Sequence, residues 1–289
     1  MVSNHLHVIV RMDPAAPFTW CDMDLARRWL SVYPRKYLSD GTPVVPSEGE
    51  IAAIAKDSAR VNVWRSRLAD LCWFMKAFKE PIARRANRED DCSGAFWEGR
   101  FHSVPLLDQA ALIACLAYID LNPIRAKVAD RPKTSKHTSG YRCIRARNRH
   151  RAAEKIKRSE PKRAAALLAK AGLATNAAHS EVGLWLSPLA RCQVGEPLAN
   201  KTFTVDEYLL KAGKRGAIPP ELAPILARLD LSVDAWLATM LGWRMFAFTS
   251  ALGHAAPRSA EATKRGLQWI RNRCPLFAAT TGTAITGAA

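Results

Sequence analysis

The sequence predicts an α+β chain, in which a sheet with helices packed on it occupies the first part and a mainly α-helical region follows. Three observations predict this. Val2 to Val10 alternate in polarity with the period of a strand. Ala110 to Asn122 carry apolar residues at helical spacing. From Ala164 onward charge falls, while alanine and leucine rise between Pro and Gly breaks.

A strand repeats every two residues, so His5 and His7 share one face and Leu6, Val8 and Val10 the other. A pair of imidazoles so mounted can hold a divalent ion if a third ligand arrives from elsewhere, or can serve as ordinary surface or core residues. A helix is expected near Met23 to Val32, then a Pro-, Gly- and Ser-bearing loop from Pro34 to Gly49, and a second helix from about Glu50. Trp73 to Lys79 and Ile82 to Arg88 mix aromatic, aliphatic and cationic residues at helical spacing, with Pro81 interrupting the run. Trp73, Phe74 and Phe78 are expected in the core.

The alanine and leucine of the 110–122 segment favour helix, and Pro123 disfavours helical geometry at the residue before it. Leu112, Cys115, Leu116 and Ile119 form the stripe that would pack on a sheet. Tyr118 and Asn122 are four apart and share a face, presenting a phenol that can attack beside an amide oxygen that can coordinate. The plainer reading has Tyr118 half-buried on the core and Asn122 as a helix-end residue. Farther on, Ala164 to Leu173, Val205 to Ala212, Pro220 to Leu229, Val233 to Leu241 and Ala260 to Arg273 read as short helices. Trp236, Trp243 and Trp269 are expected in their core, and Leu276 to Ala289 reads as a disordered tail.

Lys and Arg number 43 against 26 Asp and Glu, a formal charge of +17. Such a field attracts phosphate, as in ribosomal and other RNA-binding proteins. Much of the excess lies between Lys133 and Arg163, where Glu154 and Glu160 are the acids after Asp130. Block charge of this kind grips a nucleic-acid backbone without reading bases, or keeps a linker in solution. Arg142 and Arg145 are the contacts expected there. Arg84, Arg85 and Arg88 are expected to face phosphate, and Arg100 to contact DNA beside Trp97, whose indole could stack on an unpaired base or simply pack in a strand. Seven cysteines without paired metal spacing suggest a reduced cytosol. Nothing reads as a membrane span or secretory signal, so a cytoplasmic, nucleoid-associated protein is expected.

Ser3-Asn4-His5-Leu6-His7, the stretch Gly94 to Phe101, and Tyr118-Ile119-Asp120-Leu121-Asn122-Pro123-Ile124-Arg125-Ala126 together resemble the REP-associated tyrosine transposases. The likeness covers roughly residues 1 to 150. It implies a ferredoxin-like or RRM-like HUH nuclease core with an antiparallel sheet. It implies that His5, His7 and Asn122 hold a divalent metal, Mg2+ or Mn2+, and that Tyr118 is the nucleophile. The implied activity is a transposase and endonuclease that cleaves and rejoins single-stranded, hairpin-bearing DNA through a 5′-phosphotyrosine, the metal polarising the phosphodiester. Arg125 falls in the same motif as a DNA contact. Family members carry further elements before the histidine strand, so the chain reads as N-terminally truncated, and the alternative is an inactive remnant that binds nucleic acid by its charge. The expected partners are single-stranded or hairpin DNA and no membrane, with a homodimer left open. The expected domains are a catalytic domain over 1–130 with an insertion at about 34–60, a basic linker over 131–163, a helical region over 164–275 and a tail over 276–289.

Overall fold

A computed structural model describes residues 5–136, 138–170, 223–241, 250–271 and 274–277, and the regular structure in them is helical. No β-strand occurs among the described residues; the bridges Tyr37 to Pro43 and Leu106 to Leu252 are isolated. The expected α+β class, with its antiparallel ferredoxin-like sheet, is thereby overturned. Alternating polarity fixes only a local preference for extended backbone, whereas a strand needs a neighbour to take its N–H and C=O groups. Residues 6–12 carry neither helix nor strand, and 94–101 form bends rather than a neighbouring strand. The expected two-residue alternation is not kept either: Leu6, His7, Ile9 and Val10 are all half-buried, while His5 and Val8 are exposed.

The chain divides into two compact units, one of Val10–Ser103 and one of Met1–Ile9 with Val104–Ala289. The first holds α1 (Ala16–Thr19), α2 (Asp22–Val32), α3 (Glu48–Ala55), α4 (Ser58–Leu68) and α5 (Leu71–Glu89). Its core joins Ala26, Trp29 and Leu30 of α2 to Ile51 and Ile54 of α3. Trp64 of α4 stacks on Trp29 with ring centroids 5.0 Å apart. Ser47 and Glu50 cap α3 reciprocally, the N–H of Glu50 donating to Ser47 Oγ and the N–H of Ser47 to Glu50 Oε2. Lys36 Nζ then reaches Glu50 Oε1 at 2.9 Å.

α2 falls where a helix was expected, and Pro81, expected to interrupt, lies inside a continuous α5. That helix has no buried residue; Trp73 and Phe78 are half-buried and Phe74 is 39 % exposed. Trp73 packs against the core at Trp29, with ring centroids 5.9 Å apart, but Phe74 and Phe78 are not the core positions expected. Their helix packs by one half-covered side, so aromatic content overstated its burial.

The second unit is built around α6 (Gln109–Arg125), which the Asp108 carboxylate begins by accepting the N–H of Ala111 at 2.7 Å. α6 is buried on nearly every side, as a helix that is apolar all round must be. Ile113 and Leu121 share a core with Leu226, Trp236, Met240, Leu252 and Phe277. Of the stripe expected to lie on a sheet, Cys115 and Ile119 pack in this core instead. Pro123 does not end α6, which runs one residue beyond Ile124.

Beyond α6 come α7 (Ser139–Ser159), α8 (Ala164–Lys170), α9 (Ala223–Arg228), α10 (Val233–Leu241) and α11 (Ala255–Lys264). The basic stretch read as a linker is thus mostly α7, ended at Pro161, which cannot continue the helix. α9 and α10 match expected helices, and α11 begins and ends earlier than the span Ala260 to Arg273. Trp236 is 2 % exposed, as expected, but Trp269 is 64 % exposed and outside the core. Trp243, Val205 to Ala212 and residues 278–289 lie outside the described residues. No helix among the described residues is long and apolar enough to cross a membrane.

Candidate functional site

The extended residues 5–9 run beside α6 within one unit, which brings the two sequence motifs together. His5 Nε2 lies 3.3 Å from Asn122 Nδ2. The His5 and His7 rings meet edge to face at 4.9 Å between centroids, and His7 meets Tyr118 in the same way at 6.2 Å. Arg125, two turns along α6 from Tyr118, folds its guanidinium over that ring at 3.7 Å. It donates from Nη2 to the Tyr118 carbonyl at 2.6 Å and from Nη1 to the Met240 carbonyl at 3.0 Å. Arg125 thus ties α6 to α10.

Burial, then the nearby His5 and Arg125, depress the His7 pKa to about 4, so His7 is neutral at pH 7. Burial also lowers the Arg125 pKa, and Tyr118 partly opposes this. His5, His7 and Asn122 supply two imidazoles and an amide, with a guanidinium close by and no carboxylate. Among the described residues, no group of three or more His, Cys, Asp or Glu is placed to hold a metal ion. Such a donor set fits a hard Mg2+ or Mn2+ poorly, since these ions take mostly oxygen ligands and favour carboxylates.

The other expected DNA contacts fall in both units. In the 10–103 unit Arg84 pairs with Glu80 and Arg85 with Glu89, while Arg88 and Arg100 are exposed. Trp97 donates its indole N–H to the Lys79 carbonyl at 3.1 Å, and Lys79 Nζ lies 5.1 Å over its ring. Arg142 and Arg145 are both exposed on α7.

α7 is the most basic element of the fold, with Arg142, Arg145, Arg147, Arg149, Arg151, Lys155, Lys157 and Arg158 against the single acid Glu154. Its start is firmly held. Thr138 caps it by accepting the N–H of Tyr141 at 3.1 Å. Asp120 of α6, 2 % exposed, accepts from Ser139 Oγ and the Gly140 N–H, both at 3.0 Å. A carboxylate at a helix N-terminus also meets the positive end of the helix dipole.

Burial changes sides along α7. Gly140 and Ile144 are buried in its first half and Ala153 in its second, and nine residues at about 100° each put Ala153 on the side opposite Ile144. Arg142, Arg145 and Arg149 consequently point away from the packed side of the first half, and Arg151, Lys155 and Arg158 away from that of the second. A shallow cavity of about 580 Å³ is lined by Arg151, Glu154, Lys155, Arg158 and Ser159. The two opposed cationic sides were not foreseen in the sequence, although the wheel positions of the buried Ile144 and Ala153 contain them.

Comparison with protein-family models, curated proteins and solved structures gave no match for this chain. With no family match, no sheet and no metal-holding cluster among the described residues, the resemblance to the tyrosine transposases is not sustained. The single-strand nuclease and strand-transfer activity it implied falls with it. The two histidines sit on a segment without helix or strand beside α6, with no sheet among the described residues to mount them.

Proposed function

We propose that this protein binds nucleic acid and that α7 holds the phosphate backbone. The observation that carries this reading is a docked 21-residue helix with eight cations and one acid, in which Arg142, Arg145, Arg151, Lys155, Lys157 and Arg158 are exposed. Lys157 pairs with that acid, Glu154, at 2.9 Å. Each phosphate neutralised releases condensed counterions, and this term dominates affinity for nucleic acid. A net charge of +17 adds long-range attraction to the contact itself.

Fluorescence anisotropy with a labelled oligonucleotide tests the reading. The triple variant R151Q/K155Q/R158Q is expected to bind about tenfold or more weakly than wild type at physiological salt. Wild-type protein that fails to bind any oligonucleotide, or a variant that binds as well as wild type, contradicts it.

A further inference from the structure

We infer that α7 docks lengthwise in the major groove of a B-form DNA duplex, with Asn148 and Ala152 toward the bases. This rests on the nucleic-acid reading above and adds to it the class of partner and the face used.

The argument begins from what stays exposed along the whole helix. Arg145, Asn148, Ala152, Lys155 and Ser159 follow each other at spacings of three and four, so they form one ridge on one side of α7. All five are exposed. The middle of that ridge is small and uncharged. Cations lie on both flanks: exposed Arg142 and half-buried Arg149 about 90° to one side over the first half, exposed Arg151 and Arg158 about 90° to the other over the second. Over the first half, where Ile144 is buried, the packed side is that of Arg151 and Arg158, and over the second, where Ala153 is buried, it is that of Arg142 and Arg149.

A helix with its side chains is about 10–12 Å across, and the B-DNA major groove is about 12 Å wide with a phosphate backbone on each side. A helix lying there needs cations on two opposed flanks and a ridge low enough to approach the base edges. α7 has both. An Asn can pair bidentately with adenine, and an Ala methyl can meet the thymine methyl. A single strand offers one backbone, which would leave one flank without a phosphate. An RNA duplex has a major groove too deep and narrow for side chains to read. From Arg145 to Ser159 the ridge is roughly 21 Å long, enough to cross several base pairs.

The test measures binding of the full chain to one sequence in three forms: B-form DNA duplex, DNA single strand and RNA duplex. The DNA duplex is expected to bind at least about tenfold more tightly than either other form. R142Q/R149Q and R151Q/R158Q should each lower duplex affinity, while N148A should narrow the spread of affinities over a panel of duplex sequences by about 5- to 100-fold. Unchanged far-UV circular dichroism and melting confirm that the variants fold. Single strand or RNA duplex bound as tightly as DNA duplex, one flank pair without effect, or an unchanged spread for N148A overturns the groove assignment. In each of those cases nucleic-acid binding itself stands; absence of binding to all three forms is the separate failure of the function proposed above.

Discussion

Replacing Gly140 by alanine tests how α7 is held. An ideal Cβ on residue 140 would lie 2.9 Å from Asp120 Cγ and 3.0 and 3.1 Å from its two carboxylate oxygens. The carboxylate has no easy retreat, because Ser139 Oγ and the Gly140 N–H both hold it at 3.0 Å. Overpacking of this kind costs about 1–3 kcal/mol, while alanine regains about 0.5–1 kcal/mol of the glycine entropy penalty. The net expectation is about 1–2 kcal/mol of destabilisation, read from urea unfolding by far-UV circular dichroism. Removing the carboxylate should reverse the sign, so in an Asp120→Ala background Gly140→Ala should be neutral or stabilising by up to about 1 kcal/mol. The same cost in both backgrounds would refute the contact as the anchor of α7.

Other outcomes follow from the charged groups. His7 has a folded pKa of about 4, below its unfolded value, so the unfolded state binds more protons between them. Stability should therefore fall as pH drops from about 6.5 to about 4, by roughly 1–2 kcal/mol after allowing for solvent screening, and His7→Gln should flatten that limb. Glu50, held near a pKa of about 2 first by Lys36 and then by the Ser47 N–H, contributes in the opposite sense to its protonation. The stability it lends to α3 is present above the unfolded carboxylate value and is lost as pH falls toward 2, a loss that Glu50→Gln should abolish in acid unfolding curves. Millimolar Mn2+ or Mg2+ should leave the melting temperature unchanged, because His5, His7 and Asn122 offer no carboxylate. A rise in melting temperature that disappears in a His5→Ala, His7→Ala variant would instead establish a metal site there.

Local signals in the sequence were read well where local physics decides. The stretch that became α2 carried its helix pattern, and Tyr118 and Asn122 share a face of α6. Their approach to His5 and His7 was also legible, because both motifs were singled out as halves of one site. What failed depends on distant partners. His5-Leu6-His7 has the alternation of a strand, but nothing in those residues says whether another segment lies alongside, and the resemblance supplied a sheet that the described residues do not contain.

The prolines misled in the same way. Pro81 and Pro123 each remove one backbone donor, yet α5 and α6 continue past them because neighbouring turns and packing outweigh one missing bond. In α7 the block of charge suggested a linker, whereas the buried contacts of Gly140, Ile144 and Ala153 hold it as a docked helix. The contact of Gly140 with Asp120 joins residues 20 positions apart, beyond the reach of composition.

Salt dependence tests the central claim most directly. For wild-type protein on a DNA duplex, log K should fall linearly with log salt concentration at about 0.9 per phosphate engaged, and R151Q/K155Q/R158Q should reduce that slope by about 2–3. An unchanged slope in the variant, or binding that does not respond to salt, would contradict the assignment of α7 as the phosphate-holding element.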